Sequence, residues 1–213
     1  GDSSISLFRI FNVWNNAIIN QQNILGKDAK LVAGNAYLYG DDVHVEIASL
    51  LMRQGARAEQ LDVSLLGKEQ KYNIEMTVSH KDRDAYSDST FRSVLRDKAT
   101  SFYGGMVRID KNGQKSNAML RAESLLLSKD ASANNIPRLE IEADDVQAKH
   151  ASSVSSIDEE QLFYMQSRGM SKEEAEQMIV HGFIDSIIYK LPKEYHEIVA
   201  ESITKKVWQE YES

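Results

Sequence analysis

The chain has 213 residues, of which 42% are hydrophobic and 27% charged, and its formal net charge is −7 at pH 7. A chain of this length can bury a sizeable core. The negative net charge and the lack of a dense Lys/Arg run argue against nucleic acids and membrane surfaces as partners. No segment approaches the roughly 20 apolar residues of a membrane helix, and no signal-peptide pattern is present. We therefore expect a cytoplasmic protein.

The sequence contains no cysteine. Disulfides, thiolate nucleophiles and thiolate-bound clusters are thus excluded within these residues. Because the chain begins with Gly1-Asp2 rather than with methionine, we expect further residues upstream.

Four segments before residue 157 alternate between apolar and polar side chains, which is the period-two pattern of a half-buried strand. Their apolar members are Val43, Val45 and Ile47; Leu61, Val63 and Leu65; Tyr72, Ile74, Met76 and Val78; and Leu139, Ile141 and Ala143. Turn signals separate the segments at Gly40-Asp41-Asp42, Gly55, Gly67-Lys68 and Lys111-Asn112-Gly113, and we interpret Gly104-Gly105 as another tight turn. The pattern predicts a sandwich, a barrel or an irregular solenoid, and does not choose among them.

The apolar period changes near residue 157, so we predict a β domain over residues 1–157 and a helical domain over residues 158–213. Asp158-Glu159-Glu160 predicts the start of a first helix, because acidic residues favour the positive end of the helix dipole. Arg168-Gly169 predicts its end, with the glycine after the cap.

A second helix is predicted to begin with the capping box of Ser171 and Glu174, and Pro192 should end it and begin a third. The apolar stripes of these helices are Ala175, Met178, Ile179, Phe183, Ser186 and Ile187, then Tyr195, Ile198, Val199, Ser202, Ile203 and Val207. So short a tail cannot bury these stripes by itself, and we expect it to dock on the body or on a partner.

Local motifs for catalysis are absent from the sequence. The five histidines have no metal-binding spacing, and we expect His181 and His196 to be structural. Asp144-Asp145 lacks the spacing of a calcium loop and is interpreted as a turn whose side chains cap strand-end amides. Because no phosphate-binding loop or nucleophile motif occurs, we do not expect the chain to hydrolyse ATP itself.

A longer signature lies between residues 139 and 169. Residues 139–146 read LEIEADDV, His150 follows, residues 157–164 read IDEEQLFY, and residues 167–169 read SRG. These motifs, in this order, resemble the SufB/SufD family (SufBD core domain) of the Suf iron–sulfur cluster assembly system.

The resemblance implies a right-handed parallel β-helix followed by a small C-terminal helical domain. It also implies pairing through the β-helix with a SufB-like subunit or with a second copy as a homodimer. A SufC-type ABC ATPase would dock on the helices at about residues 171–211. We assign Phe163, Tyr164, Arg168, Met178 and Phe183 as candidate partner-binding residues.

The family's interface histidine falls on His150, which becomes the candidate iron or cluster ligand, since a neutral imidazole can ligate iron. Positions where related subunits carry cysteine read Ala148 and Ala122 here, and a glutamate position reads Ala151. The chain therefore resembles SufD more than SufB. We expect it to bind no cofactor alone and to hold a cluster transiently with a partner.

Our leading hypothesis is a non-enzymatic, SufD-like scaffold subunit. A divergent interaction or dimerisation module without cluster chemistry is the second hypothesis, favoured by the absence of cysteine. The third is a β-helix enzyme that cleaves polysaccharides, which requires a pair of carboxylates on one exposed face.

Overall fold

A computed structural model describes residues 3–208, with side-chain environments through residue 202. In this part of the chain, eleven β-strands precede three α-helices and one short 3-10 helix. The strands are β1 (Ser4–Phe11), β2 (Asn16–Leu25), β3 (Lys30–Tyr37), β4 (Asp42–Leu51), β5 (Arg57–Leu66), β6 (Lys71–His80), β7 (Tyr86–Leu95), β8 (Thr100–Ile109), β9 (Asn117–Leu126), β10 (Ser132–Ile141) and β11 (Gln147–Ser156). The helices are α1 (Glu159–Ser167), α2 (Lys172–Ile188) and α3 (His196–Trp208), with the 3-10 helix at Lys193–Tyr195.

The strands form two parallel sheets. The odd-strand sheet has the order β1-β3-β5-β7-β9-β11, and the even-strand sheet has the order β10-β8-β6-β4-β2. The chain passes from one sheet to the other at every turn, so that each pair of strands adds one coil to a β-solenoid. This confirms the predicted mainly β fold, a parallel β-helix with short C-terminal helices. We call the space between the two sheets the lumen.

Most predicted turns lie at the corners of the solenoid. Gly40 and Gly55 have φ angles of 112° and 74°, a region that glycine enters without steric cost. Lys68 adopts the same left-handed region at φ 56°, directly after Gly67. The turn signal at residues 111–113 also falls between two strands, β8 and β9.

The turn predicted at Gly104-Gly105 is wrong, because both glycines lie within β8. A Cβ atom added to Gly104 would lie 2.2 Å from Oε2 of Glu75, and one added to Gly105 would lie 2.8 Å from Cδ2 of Leu120. At Gly105 a larger residue would collide with the packed side chains of Leu120 and Tyr103, whereas at Gly104 the close contact is with the flexible end of Glu75.

The lumen holds the main apolar core. The apolar residues predicted for β4 and β6 point into it, including Val45 and Ile74, which occupy paired positions and are fully buried. Further along the lumen, Phe91 of β7 stacks on Tyr103 of β8 with ring centroids 4.4 Å apart.

The prediction that β5 is a half-buried strand is wrong, since residues 58–66 are all buried except the partly buried Glu59. Leu61, Val63 and Leu65 point away from the lumen and pack beneath the helices. Asp62 and Ser64, on the opposite face, point into the lumen. The helices cover the outer face of β5 and the lumen core covers its inner face, so both faces of this strand are buried.

The helix ends match the sequence signals. The side chain of Asp158 accepts hydrogen bonds from the backbone N–H groups of Glu160 and Gln161 at the start of α1. Ser171 and Glu174 form the predicted capping box of α2. Gly169 follows α1 at φ 97°, and Pro192 precedes the 3-10 helix.

Helix α2 packs on the outer face of the odd-strand sheet through its buried residues Val180, Ile184, Ile187 and Ile188. Met178, predicted to lie in this stripe, is instead 55% exposed. In α3, Val199 is buried as predicted but Ile198 is 56% exposed. The side chains of Ile203 and Val207 lie outside the described environments, as do residues 209–213.

The predicted domain boundary at residue 157 falls between the end of β11 and the start of α1. The division into two domains stays a prediction, because α2 shares an apolar cluster with the solenoid. Across residues 3–208, none of the helices has the length and apolar character of a membrane span.

Candidate functional site

His150 lies on β11, the last strand of the odd-strand sheet, where it is exposed. It pairs in register with Leu120 of β9, whose side chain is fully buried in the lumen core. Paired residues of parallel strands point to the same face of a sheet. His150 therefore faces the lumen side of the last coil, where no further strand follows β11 in its sheet.

The last coil leaves two strand edges free within the described chain, those of β10 and β11. Apolar side chains are exposed along this coil at Ile136 (39%), Ile141 (42%) and Val154 (46%). Free backbone N–H and C=O groups next to exposed apolar side chains form a surface that another strand or subunit can cover. We call this surface, with His150, the C-terminal coil face.

Ala122 and Ala148, where the resemblance implied cysteine in related subunits, lie in different surroundings. Ala122 is fully buried in the lumen and pairs with Ser152, whereas Ala148 lies on β11 beside His150. No group of three or more His, Cys, Asp or Glu side chains able to hold a metal occurs among the described residues. A metal at His150 would therefore need ligands that the described residues do not bring together with it.

Three of the candidate partner-binding residues are largely exposed: Phe163 (73%), Tyr164 (58%) and Met178 (55%). The guanidinium of Arg168 stacks over the ring of Tyr164 at 5.2 Å and donates a hydrogen bond of 3.0 Å to its hydroxyl. Phe163 and Tyr164 also line a shallow surface depression with Glu159 and Glu160. We call Phe163, Tyr164, Arg168 and Met178 the helical face.

Phe183, the fifth candidate, is used within the molecule. It is partly buried against the solenoid, and the guanidinium of Arg92 lies 4.9 Å from its ring centroid. Arg92 also pairs with Glu123 at 2.6 Å and donates hydrogen bonds to the Phe183 carbonyl and the Ser186 hydroxyl. Sequence reasoning missed this link, because nothing local relates β7 to a helix so distant in the chain.

The other histidines lie apart from the C-terminal coil face. His80 is buried with Nε2 2.8 Å from the Ser87 hydroxyl, and burial lowers its pKa to about 4. His196 Nε2 lies 2.7 Å from the Leu191 carbonyl, as expected of a structural residue. Asp145 lies in a solenoid turn, where its backbone carbonyl accepts a hydrogen bond from the Lys115 N–H. The prediction placed such a contact on an Asp side chain, whereas here the backbone of Asp145 makes it.

A pair of carboxylates does occur on the outer face of the even-strand sheet. Glu46 of β4 and Glu75 of β6 occupy paired positions. Each also contacts a basic side chain: His44 lies 3.3 Å from Glu46, and Arg138 lies 3.4 Å from Glu75. The pair therefore lies on one outer face of the solenoid, where both carboxylates are engaged by neighbouring groups.

Polar side chains occupy the lumen at the opposite end from His150. We call five of them the lumen cluster: Arg9, Gln21, Asn35, Gln60 and Asp62. Asn35 Nδ2 donates to Gln21 Oε1 at 3.0 Å and to Asp62 Oδ1 at 2.8 Å, and Gln60 Nε2 donates to the same Asp62 oxygen at 2.6 Å. Burial raises the pKa of Asp62 to about 7, against the opposing effect of these hydrogen bonds.

Sequence reasoning did not identify the lumen cluster. Asp62 stands between two leucine or valine positions in β5, which is the usual pattern of a solvent-facing acid. In the structure the apolar face of β5 lies under the helices, so Asp62 on the opposite face points into the lumen.

Comparison with known proteins gives a consistent result. Residues 2–183 match the family described as SUF system FeS cluster assembly, SufBD core domain. Proteins described as iron-sulfur cluster assembly SufBD family proteins are 33% identical over 146 residues in Staphylococcus saprophyticus and 32% identical in Staphylococcus haemolyticus and Staphylococcus epidermidis. Each alignment covers 68% of this chain and 31% of the relative, so the chain matches about a third of their length.

Proposed function

Because the chain belongs to the SufBD family of the SUF iron–sulfur cluster assembly system, we propose that it is a non-enzymatic, SufD-like scaffold subunit of that system. In this proposal the C-terminal coil face pairs with a SufB-like subunit or with a second copy. The helical face binds a SufC-type ABC ATPase. A cluster would assemble transiently between the paired subunits.

The observation that carries the proposal is the exposed His150 on a coil with two free strand edges. A single imidazole is a poor site by itself, but it becomes one ligand of a shared site if a partner covers the coil. These 213 residues contain no cysteine, so in this proposal the thiolates of the cluster come from outside them. The exposed apolar residues of the coil give the partner a surface to bury.

Anaerobic reconstitution tests this site. The chain is mixed with a cysteine-bearing SufB-like subunit, iron and sulfide, and the cluster is quantified by its visible absorption. We expect His150→Ala to lower cluster content about tenfold or more, since losing one ligand of a shared site weakens metal retention strongly. His44→Ala, which changes a partly exposed histidine on another face, should have no effect.

If cluster content depends neither on this chain nor on His150, the scaffold proposal fails. The divergent interaction module then becomes the better proposal, and the absence of cysteine already favours it. In that case the C-terminal coil face should still pair, which sedimentation analysis of the same mixture would detect.

Binding of the ATPase is tested at the helical face. Ending the chain at Gly169 removes α2 and uncovers the apolar outer face of the odd-strand sheet, so surface variants are the cleaner test. We expect Phe163→Asp to weaken binding of a SufC-type ATPase about tenfold or more, because exposed aromatic anchors dominate interface energies. Ile18→Asp alters an apolar residue that is 75% exposed on the solenoid and should leave binding unchanged.

Isothermal titration calorimetry gives the two affinities directly. Unchanged affinity in Phe163→Asp, or an equal loss in both variants, would remove the helical face from the proposed docking surface.

A further inference from the structure

The two free strand edges of the last coil differ in the backbone groups that they present. Along a β-strand, the N–H and C=O groups of successive residues point alternately to the two sides of the strand. On the β8 side, the N–H groups of Ser132 and Glu142 donate to the carbonyls of Ala99 and Ile109. Because β10 pairs with β8 without a break in register, its even-numbered residues face β8 and its odd-numbered residues face the free edge.

Pro137 interrupts the free edge of β10. It is an odd-numbered residue near the middle of the strand, so the N–H group that proline lacks is one that would have pointed to the free edge. Proline on an edge strand hinders the addition of another strand, and natural sheets use it for that purpose. Arg138 and Glu140 add exposed charges to the same strand. The edge of β10 is therefore poorly suited to strand pairing.

The free edge of β11 is uninterrupted. The N–H groups of Gln147 and Ile157 donate to carbonyls on the β9 side, so the odd-numbered residues of β11 face β9 and the even-numbered residues face the free edge. Nine of the ten residues of this strand are exposed, so another strand has access to the edge along its whole length. The free-edge residues, each with its N–H group, are Ala148, His150, Ser152, Val154 and Ser156.

These five residues are arranged symmetrically about Ser152. If a second copy runs antiparallel with the two Ser152 residues opposite each other, His150 lies opposite Val154. Ala148 then lies opposite Ser156, so every free-edge residue of one strand meets a free-edge residue of the other. Antiparallel pairs of this kind exchange two backbone hydrogen bonds each. The same register covers Val154, which is 46% exposed, and the edge of β11 is thus complementary to itself.

The charges of β11 fit this register. The titratable residues of the strand are Lys149 and His150, and both lie on the same side of Ser152. In the antiparallel pair Lys149 faces Ser155 of the second copy, so like charges of the two strands are not opposed. A pairing centred on Lys149 or His150 would oppose two like groups and would use fewer of the free-edge residues. The strand therefore favours a two-fold axis at Ser152.

We propose that the C-terminal coil face is an interface between two copies of this chain, in which β11 pairs antiparallel with β11 of the second copy about Ser152 while the β10 edges stay unpaired. The odd-strand sheet continues from one copy into the other, and the even-strand sheet ends at β10 because of Pro137. This inference rests on the proposed pairing of the C-terminal coil face, and it selects a second copy as the occupant and β11 as the strand that binds it.

Disulfide cross-linking tests the register, because the chain has no cysteine that could react elsewhere. We expect Ser152→Cys to form a covalent dimer on oxidation, since directly opposite residues of an antiparallel pair lie within disulfide reach. Ser156→Cys is the matched control, because it changes the same residue type on the same exposed edge but lies opposite Ala148. By itself it should not cross-link, whereas a mixture of Ser156→Cys with Ala148→Cys should. Equal cross-linking of Ser152→Cys and Ser156→Cys, or none in Ser152→Cys, would overturn the proposal.

Sedimentation equilibrium of the unmodified protein measures the dimer itself. We expect a mass of twice the 24.1 kDa of one chain. Ser152→Pro removes a free-edge N–H group from β11 and should raise the dissociation constant about tenfold or more, with folding checked by circular dichroism. Ala133→Pro removes a free-edge N–H group from β10 and should leave the dissociation constant unchanged. A protein that stays monomeric, or a dimer that Ala133→Pro weakens and Ser152→Pro does not, would contradict the proposal.

These experiments and the cluster reconstitution fail separately. If cluster content is independent of this chain and of His150 while Ser152→Cys still cross-links, the scaffold proposal is wrong and the dimer stands. If Ser152→Cys does not cross-link while cluster content still depends on His150, the inference of a second copy is wrong, and a SufB-like subunit is the occupant of the C-terminal coil face.

Discussion

Replacing Ile184 with aspartate should be the most disruptive single change in the helical part of the protein. Ile184 is fully buried where α2 meets the outer face of the odd-strand sheet, in one cluster with Leu61 and Val63. The variant loses an apolar contact and places a charge without a partner in a dry environment. We expect the free energy of unfolding to fall by at least about 4 kcal/mol, measured by urea denaturation.

Ile198→Asp is the matched control, because Ile198 lies on α3 and is 56% exposed. The same substitution there should change the free energy of unfolding by less than about 0.5 kcal/mol, as is usual for surface positions. If the two variants were equally stable, the contact between α2 and the sheet would not contribute to stability. Loss of ATPase binding in Ile184→Asp alone would further support docking through correctly packed helices.

Phe91→Ala should produce a comparable loss inside the lumen. Phe91 is fully buried, and its ring is stacked on that of Tyr103 at an interplanar angle of 5°. Removing the ring leaves a cavity in the apolar core and deletes an aromatic pair. We expect a loss of about 3–5 kcal/mol, with a lower midpoint in thermal and urea unfolding.

The control for this variant is Phe163→Ala on the helical face, where the ring is 73% exposed. It should unfold within about 0.5 kcal/mol of the wild type. A small loss in Phe91→Ala would mean that the lumen collapses around the missing ring, and crystallography of the variant would then show Tyr103 displaced into the space. The stacked pair would no longer be considered central to the core.

Together these variants separate the two apolar clusters that cover opposite faces of the odd-strand sheet. Each cluster buries one apolar face of this parallel sheet, so both are needed to keep its two faces away from solvent.

The role of the candidate site residues stays a prediction, and the structure shows only where they lie. His150 was found through a local signature, and its exposure on the last coil agrees with a role at an interface, although iron binding stays a prediction. Phe163, Tyr164 and Met178 are exposed as a partner surface requires. Phe183 could not be assigned from sequence, because an aromatic ring on an amphipathic helix can face either the body or a partner until the fold brings Arg92 beneath it.

Features encoded within a few residues were determined by the sequence alone. The alternation in β4 and β6, the capping box at Ser171, and the corner glycines Gly40 and Gly55 all depend on local sterics and local hydrogen bonds. The absence of cysteine likewise excludes thiolate chemistry without any structure.

Only the tertiary structure decided which side of each strand is covered and by what. Period two shows that side chains alternate, but it cannot tell a solvent-facing acid from one that points into a lumen, and so β5 was wrongly predicted to be half-buried. Gly104 and Gly105 were misassigned for a related reason, since the side chains that approach them most closely come from β6 and β9. Burial, strand crossing and the shifted pKa of Asp62 all arise from contacts between residues far apart in the chain, which no local pattern records.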